Sequence, residues 1–180
     1  LEYALGDING DGVLKGKDIT RFRKYFYGEE KLNKYQLLAA DLNQDGVVDA
    51  IDFDLLRPAI LGSITLPYKS KDSYNITYNL DGGTVVGYLR TKYSSEFDSQ
   101  LDIETGVNIV EKDGYGFTGW TGSNGTTAEE IVTIAQGTTG DLSYTANWAL
   151  LGDVNQDGKI NSSDLQEINK YLENYSTANT

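Results

Sequence analysis

Two hydrophobic patterns divide the chain. In three stretches apolar residues recur at spacings of three and four, the period of an amphipathic helix; these sets are Ile19, Phe22 and Phe26, then Phe53, Leu56 and Ile60, then Leu165, Ile168 and Leu172. From about residue 74 to residue 149, apolar and polar residues alternate instead. Alternation is typical of half-buried strands, so the sequence predicts helices at both ends and a sheet between them.

The alternating segment predicts three main strands, which are Tyr74–Leu80, Gly114–Trp120 and Leu142–Trp148. Asp81-Gly82-Gly83 has turn composition, so we expect a hairpin that pairs the first strand with Thr84–Leu89. The glycines of the second strand favour a bulge or close packing. Ser94–Gly106 fits a short helix or a loop.

Each helical stretch directly follows one acidic pattern, D-x-N-x-D-G-x5-D. The three copies begin at Asp7, Asp41 and Asp153. This is the spacing of an EF-hand calcium loop, with Asp in place of the usual Glu at position 12. Positions 1, 3 and 5 supply side-chain oxygens, Gly at 6 permits the turn, position 7 supplies a backbone carbonyl, and position 12 closes the site.

The predicted calcium ligands follow from that register. They are Asp7, Asn9, Asp11, Val13 and Asp18 in loop 1; Asp41, Asn43, Asp45, Val47, Asp49 and Asp52 in loop 2; and Asp153, Asn155, Asp157, Lys159, Asn161 and Asp164 in loop 3. Three Ca²⁺ sites are expected, because the donors are all oxygens. Loop 2 has the most acids and is expected to bind tightest, whereas loop 1, with Lys15 at position 9, is expected to bind weakest.

Composition narrows the chemistry further. A net charge of −12 argues against nucleic-acid binding, which needs a basic surface. Cys and His are both absent, which excludes disulfides, thiol nucleophiles and His-based catalytic or haem sites. No apolar run approaches the ~20 residues of a membrane span. The chain begins at Leu1 without a signal-peptide pattern, so we interpret it as a fragment or a mature region.

The loop–helix units, which lack a helix before the loop, resemble the dockerin family. The match runs from Leu5 to Gly62 and includes the offset from Asp7 to Asp41, the linker stretch Leu32 to Ala40 and the Ala39-Ala40-Asp41 entry to loop 2. The resemblance implies a non-catalytic module that binds a cohesin domain. It also implies partner contacts from loop positions 10 and 11 and helix positions 17 and 18, which correspond to Gly16, Lys17, Arg23 and Lys24 in repeat 1 and to Ala50, Ile51 and Arg57, with Pro58, in repeat 2.

Two features depart from the family pattern. The partner positions are basic in repeat 1 (Arg23, Lys24) and apolar in repeat 2 (Ala50, Ile51), which argues against the symmetric two-way docking known in part of the family. Pro58 lies inside the second helix, where it removes a backbone donor, so we expect a kink or an early end near Leu56–Arg57.

The third loop–helix unit, Leu151–Tyr171, has no fourth unit after it in this sequence. Its corresponding partner positions are Ser162, Ser163, Asn169 and Lys170. Three explanations are open: the chain is cut short of a second half, the unit packs within the chain, or it pairs with a copy in another chain. We favour packing within the chain, because the polar tail from residue 176 to residue 180 has the composition of a terminus.

The middle segment resembles the internalin-type B repeat, also called the Listeria–Bacteroides repeat. The matching pieces are Tyr78-Asn-Leu-Asp-Gly-Gly83, Gly114-Tyr-Gly-Phe-Thr-Gly-Trp120 and Tyr144-Thr-Ala-Asn-Trp148, although the stretch between Tyr88 and Val110 lacks the short Pro-containing connection of that family. The resemblance implies a small β-grasp-like spacer or adhesion domain. Sugar binding through Trp120 is an alternative, but core aromatics are the favoured interpretation. The available acids form no evident catalytic pair; they are Glu96, Asp98, Asp102, Glu104, Glu129 and Glu130.

Together these observations predict an α+β multidomain chain. The expected parts are an all-α calcium-loop dockerin at residues 1–63, a linker at 64–73, a β-grasp-like domain at 74–149, and an extra dockerin-type loop–helix at 150–180. The expected function is a secreted or cell-surface, non-enzymatic adaptor that binds the cohesin of a multi-enzyme scaffold, as in a cellulosome, and is otherwise monomeric. The alternatives are a calcium-rigidified stalk without a cohesin partner and a carbohydrate-binding module.

Overall fold

A computed structural model describes residues 3–101 and 109–178 of the chain. Within these ranges, helices α1 (Gly16–Phe26), α2 (Lys34–Ala40) and α3 (Ala50–Ile60) come first and α4 (Ser162–Ala178) comes last. The strands between them are β1 (Tyr74–Asn79), β2 (Thr84–Val85), β3 (Lys92–Tyr93), β4 (Ser99–Gln100), β5 (Val110–Glu111), β6 (Tyr115–Gly122), β7 (Gly125–Glu129), β8 (Thr133–Ile134) and β9 (Leu142–Leu150). The mixed α and β content agrees with the sequence prediction.

Helices α1 and α3 pack against each other through the apolar stripes seen in the sequence. Phe22 of α1 and Leu55 and Leu56 of α3 are fully buried in one core. The ring of Phe53 lies 5.8 Å from that of Phe22 and 6.0 Å from that of Phe26, centroid to centroid. Burying each such side chain stabilises the fold by about 1.5–3 kcal/mol, so the paired stripes hold the first two repeats together.

Helix α2 lies within the stretch Leu32 to Ala40, which was predicted to be a linker. Asn33 caps it by accepting hydrogen bonds from the backbone N–H groups of Tyr35 and Gln36, at 2.9 and 3.0 Å. The Gln36 side chain accepts in return from the Asn33 N–H at 3.0 Å. This reciprocal capping box is typical of the start of a helix, and its pattern, N-x-x-Q, is present in the sequence at Asn33 and Gln36.

The expected early end of the second helix is wrong, because α3 continues through Pro58 to Ile60. Pro58 falls in the last turn of the helix. The following residues close that end, since the N–H of Leu61 donates to the Arg57 carbonyl and the N–H of Ser63 to the Pro58 carbonyl. Proline at this position supplies no N–H for the Asp54 carbonyl, so α3 loses that one backbone bond and still continues to Ile60.

The middle of the chain folds as a five-stranded sheet in the order β3-β1-β9-β6-β7. Strands β1 and β9 run parallel at its centre, with Ile76 opposite Leu142 and Tyr78 opposite Tyr144. The neighbouring pairs are antiparallel, and β6 has a register shift between Phe117 and Gly119, where a bulge was expected. The three main predicted strands are confirmed, while the β-grasp assignment stays a prediction.

The predicted hairpin after Asp81 is wrong, although its turn forms. Asp81 and Gly82 have φ values of 47° and 82°, and the Gly83 N–H donates to the Leu80 carbonyl at 2.9 Å. The chain then leaves β1, and β2 pairs with β5 through Thr84–Glu111 and Val85–Val110. Strand β1 instead pairs with β3 and β9. Turn composition fixes the reversal of the chain but not the partner of the strand that follows.

Aromatic side chains fill the core of the sheet. Trp120 is 2% exposed and packs edge-on against Tyr78 and Phe117. Trp148 is partly buried, and its indole N–H donates to the Leu80 carbonyl at 3.0 Å. The core interpretation of these aromatics therefore agrees with the structure. Trp120 offers no exposed ring on which a sugar would stack, which removes the residue that the carbohydrate-binding alternative relied on.

Helix α4 leaves its apolar stripe uncovered. Leu165, Ile168 and Leu172 are 58%, 41% and 55% exposed, and Ile160 in the preceding loop is 62% exposed. The equivalent residues of repeats 1 and 2 are packed in the shared core. The expectation that the third unit packs within the chain is therefore wrong for the described residues, because no neighbouring element covers these side chains.

Candidate calcium loops and partner surfaces

The first loop folds around its own side-chain oxygens. The Asp7 carboxylate accepts N–H bonds from Gly10, Asp11 and Gly12 at 2.9, 3.1 and 2.8 Å. Asn9 accepts from the Asp11 N–H and Asp11 from the Val13 N–H, at 2.8 and 3.0 Å. These short turns orient the oxygens of positions 1, 3 and 5, and an ionised carboxylate with about four acceptor sites retains one for a cation after three N–H bonds.

Position 12 closes the same loop from the first turn of α1. Asp18 is fully buried, and it accepts from the N–H of Asn9 at 3.0 Å and the N–H of Lys15 at 2.8 Å. The second bond is half of a helix-capping box. One carboxylate thus connects the start of the loop to the start of the helix, which explains why the apolar stripe begins directly after it.

Loop 2 repeats this arrangement. Asp41 accepts from the N–H groups of Asp45 and Gly46 at 3.1 and 3.0 Å. The fully buried Asp52 accepts from Leu42 and Asn43 at 2.8 and 3.2 Å and from Asp49 at 2.9 Å. Asp49, at position 9, also caps α3 by accepting from the Ile51 N–H at 2.8 Å.

Loop 3 has the same bonds although its helix is uncovered. Asp153 accepts from Asp157 and Gly158 at 3.1 and 2.8 Å. Asp164, which is 3% exposed, accepts from Val154, Asn155 and Asn161 at 2.8, 3.3 and 2.7 Å. The glycines at position 6 all have positive φ, 84° for Gly12, 87° for Gly46 and 83° for Gly158. Three separate segments therefore adopt one conformation, as their shared spacing predicts.

The balance between desolvation and backbone hydrogen bonds differs between loops 2 and 3. Burial raises the pKa of the Asp52 carboxyl to about 7, against the lowering effect of its N–H bonds, and the nearby Asp49 and Asp41 carboxylates raise it further. Burial also raises the pKa of Asp49. At Asp164 the backbone N–H donors, that of Asn161 first, lower the pKa instead. Loop 2 thus holds buried negative charge without a nearby cation strong enough to offset it.

The donor chemistry fits a hard divalent cation, because each loop offers carboxylate, amide and backbone oxygens. Acidic side chains alone do not make such a site: among the described residues, no group of three or more Asp, Glu, His or Cys side chains that could hold a metal ion occurs. The amide and carbonyl oxygens of Asn9, Asn43, Asn155 and position 7 are therefore an essential part of each predicted ligand set.

The predicted partner residues of repeats 1 and 3 are exposed or half-buried. Gly16 and Lys17 are exposed at the start of α1, and Arg23 and Lys24 are half-buried near its end. Lys24 forms an ion pair with Glu30 at 3.2 Å. In the third repeat Ser162, Asn169 and Lys170 are exposed and Ser163 is half-buried.

The surface position predicted for two residues of repeat 2 is wrong. Ala50 is 1% exposed and Ile51 is 5% exposed, while Arg57 is exposed on the same helix. The start of α3 lies against the segment between β2 and β3, where Arg90 donates to the Ala50 carbonyl at 3.4 Å. The sheet domain lies over this end of α3, which sequence spacing alone gave no means of foreseeing.

Of the acids considered for catalysis, two accept hydrogen bonds from neighbouring residues, two are exposed, and two lie outside the described residues. Glu96 accepts from the Tyr68 hydroxyl at 2.9 Å and the Lys71 N–H at 2.7 Å, and Asp98 accepts from the Gln136 N–H at 2.7 Å. Glu129 and Glu130 are exposed. Asp102, Glu104 and the end of the 94–106 segment lie outside the described residues.

None of the helices in the described ranges is long and apolar enough to cross a bilayer.

A comparison with curated proteins found no match. The family model of the dockerin type I domain matches residues 5–61 and 151–180. These two segments contain the three loops and the helices that follow them.

Two similar solved structures both contain the third cohesin of ScaC in complex with the ScaB dockerin from Acetivibrio cellulolyticus. One structure carries a mutation in the N-terminal helix of the dockerin and displays a type I interaction. It is 31% identical to this chain, and the match covers 36% of this chain and 92% of that chain, with a TM-score of 0.34. The other structure carries the mutation in the C-terminal helix. It is 32% identical to this chain, and the match covers 39% of this chain and 100% of that chain, with a TM-score of 0.35. The dockerin type I model thus matches just under half of this chain, in the two segments that contain the three loop–helix units.

Proposed function

We propose that this chain is a non-catalytic, calcium-dependent adaptor that binds a cohesin domain and so attaches its parent protein to an extracellular scaffold of the cellulosome kind. The dockerin type I match carries the proposal, because the matched residues are also those whose loops share one hydrogen-bonding pattern. Dockerin type I domains are non-catalytic modules. The cohesin in the two similar structures supports the choice of partner.

Calcium would be held in each loop by the side chains of positions 1, 3, 5 and 12 and the carbonyl of position 7. In loops 2 and 3, Asp49 and Asn161 add an acceptor at position 9, whereas loop 1 has Lys15 there. When bound, the ion neutralises the carboxylates of its loop, which matters most for Asp52, whose pKa is raised by burial and by the nearby Asp49 and Asp41 carboxylates. We therefore expect loop 2 to bind tightest and loop 1 weakest.

Native mass spectrometry at neutral pH tests the number and location of these sites. The unmodified chain is expected to bind three Ca²⁺ ions, and Asp7→Ala, Asp41→Ala and Asp153→Ala are each expected to bind one fewer. Asp113→Ala removes an exposed acid outside the loops and serves as the control. Loss of no ion from the Asp41 variant would show that loop 2 is not a calcium site.

Binding to a panel of type I cohesins, the third ScaC cohesin among them, tests the adaptor function. Isothermal calorimetry is expected to detect binding to at least one cohesin in calcium, and EGTA is expected to abolish it. The physical reason is that metal ligation contributes to folding of the loops that position the helices. A chain that binds calcium but none of the cohesins would instead fit the stalk alternative.

The middle domain is proposed to be a spacer, as its resemblance to the internalin-type B repeat implies. In residues 74–149 the five-stranded sheet buries aromatic side chains in its core, Tyr93, Trp120 and Tyr144 among them. Among the described residues, the exposed positions of this domain include no Trp. A polysaccharide pull-down of the full chain is expected to be negative, and retention on a soluble or insoluble glucan would favour the carbohydrate-binding alternative.

A further inference from the structure

A buried ion pair attaches the sheet domain to α3. Arg90 is 1% exposed, and its two terminal nitrogens donate to the two carboxylate oxygens of Asp54 at 2.6 and 2.8 Å. Its Nε donates to the Gln100 carbonyl at 2.7 Å, and Ser99 donates to Asp54 at 2.7 Å. A bidentate pair with its remaining donors and acceptors occupied is geometrically specific, so it fixes the orientation of the two parts.

Apolar contacts surround this pair and extend the interface. The ring of Tyr88 lies 4.3 Å from that of Phe26 at the end of α1, centroid to centroid. Phe97, close to β4, packs against the core of the first two repeats. The segment before β1 is held as well, because Glu96 accepts hydrogen bonds from the Tyr68 hydroxyl and the Lys71 N–H. The sheet domain is thus held to the repeats by several elements together.

The two dockerin-type repeats are left unequal by this interface. At the start of α3, Ala50 and Ile51 are buried, and the Ala50 carbonyl accepts from Arg90. At the equivalent start of α1, Gly16 and Lys17 are exposed. The sheet domain therefore covers loop positions 10 and 11 of repeat 2, whereas positions 10 and 11 of repeat 1 stay exposed.

The exposed start of α1, here called the open face, lies within a cluster of basic residues. Five of the 15 basic residues of the chain fall within ten consecutive positions, and the chain as a whole has a net charge of −12. These residues are Lys15, Lys17, Arg21, Arg23 and Lys24. Asp18 lies within the same ten positions, and Glu30 pairs with Arg21 and Lys24 at 2.9 and 3.2 Å, so the cluster keeps an excess of three positive charges. A basic face favours an acidic partner surface.

We propose that the sheet domain is a fixed cover of repeat 2, so that a cohesin with an acidic docking surface binds through repeat 1 and in one orientation. This inference rests on the proposed cohesin-binding function and adds to it the face and the charge of the partner surface. It makes the sheet domain a determinant of docking geometry as well as a spacer.

Three charge-reversal variants of the full chain test the orientation, with the cohesin that binds best in the panel as the probe. Lys17→Glu lies on the open face, Arg57→Glu on the exposed part of α3, and Lys69→Glu on the exposed linker as a matched control. We expect Lys17→Glu to weaken binding at least tenfold and the other two to change it less than twofold. Circular dichroism confirms that all three remain folded.

Two-way docking predicts a different result. A cohesin able to use either repeat would shift to the unmodified face, so neither Lys17→Glu nor Arg57→Glu would weaken binding by much more than twofold. A large loss in Arg57→Glu alone would place the partner on repeat 2. Either result overturns the proposal while leaving cohesin binding in place.

Hydrogen–deuterium exchange of the unmodified complex gives a second test that needs no variant. Addition of the cohesin is expected to slow exchange in α1 and to leave the start of α3 unchanged. Equal new protection at residues 16–26 and 50–60 would overturn the single orientation. Absence of binding by every cohesin in the panel would overturn the cohesin-binding function itself, and this inference with it.

Discussion

Asp52 shows how one residue connects loop, helix and charge. Its carboxylate is fully buried, accepts three backbone N–H bonds and has its pKa raised to about 7 by burial. A buried carboxylate without a cation is costly, since the charged form loses its hydration. In the absence of calcium, protonation is the remaining way to remove that charge.

The metal-free protein is therefore expected to lose stability as the pH rises. The Asp52 carboxyl titrates near 3.8 when the chain is unfolded and at about 7 when it is folded. Between these values the folded state holds a proton that the unfolded state has released, so the free energy of unfolding falls with increasing pH, by on the order of 2 kcal/mol between pH 5 and pH 8. Urea titrations of protein stripped of divalent ions measure this change.

Asp52→Asn is the control for that assignment. The amide carries no charge, so its pH dependence between pH 5 and pH 8 is expected to be much flatter, even though the variant loses an acceptor for the Asp49 N–H. Added calcium is expected to remove the loss of stability at pH 8 in the unmodified chain. A metal-free chain that is more stable at pH 8 than at pH 5 would contradict this account.

The Arg90–Asp54 pair gives a second expectation for single residues. Arg90→Ala leaves a buried carboxylate without its partner, which typically costs about 3–5 kcal/mol in the free energy of unfolding. Arg90→Ala/Asp54→Ala removes both charges and is expected to recover part of that loss. Guanidinium unfolding followed by tryptophan fluorescence measures both variants. Additive effects of the two substitutions would show that the pair is not coupled.

These two residues also mark how far sequence reasoning extends. Asp52 was identified because its loop is a local pattern with a fixed spacing. Arg90 was not, because it meets Asp54 across 36 positions, and neither residue belongs to a motif. The failure at Ala50 and Ile51 has the same origin: burial there is produced by a second domain, which local spacing does not describe.

The three loop–helix units have the same local structure and different surroundings. Phe22, Leu56 and Ile168 occupy the same position, four residues after the closing Asp. Phe22 and Leu56 are fully buried between α1 and α3, whereas Ile168 is 41% exposed on α4. Sequence periodicity gave the apolar stripe in each case, but it did not show whether a neighbour covers it.

This difference predicts unequal effects of the same kind of substitution. Leu56→Ala is expected to lower the free energy of unfolding by about 2–5 kcal/mol, because it leaves a cavity in the core. Ile168→Ala is expected to change it by less than about 1 kcal/mol, since an exposed side chain leaves no cavity. Urea unfolding in saturating calcium measures both. A comparable loss in Ile168→Ala would mean that α4 is covered in solution.

The elements predicted best were those with a strong local pattern. Helices α1, α3 and α4 and strands β1, β6 and β9 follow their hydrophobic periods closely. Helix α2 was missed because it has only seven residues, although its Asn33–Gln36 capping box was legible. The pairing of β2 with β5 rather than β1 was missed because strand partners are chosen by long-range contacts.

Loop 2 and the sheet domain are in direct contact. Asp49 and Asp52 belong to loop 2 and cap the start of α3, while Arg90 of the sheet domain donates to the carbonyl of the first α3 residue, Ala50. A change in the order of loop 2 therefore alters the surface on which Arg90 rests. Ligand binding that stabilises one part is expected to stabilise the other through this contact.

Both tryptophans of the chain, Trp120 and Trp148, lie in the sheet domain, so their fluorescence reports on its unfolding separately from the calcium loops. We expect calcium to raise the temperature of the tryptophan transition in the unmodified chain, because a ligand at 100 times its Kd adds about 2.7 kcal/mol to whatever unfolds with its site. Asp41→Ala is expected to lose most of that rise, and Asp153→Ala little of it, since the apolar stripe of α4 is exposed and is not part of the core that contains α3. Arg90→Ala is expected to separate the two signals, so that calcium still raises the helical transition seen by circular dichroism but no longer raises the tryptophan transition. A tryptophan transition that ignores calcium in the unmodified chain would show that the sheet domain unfolds independently of the repeat it covers.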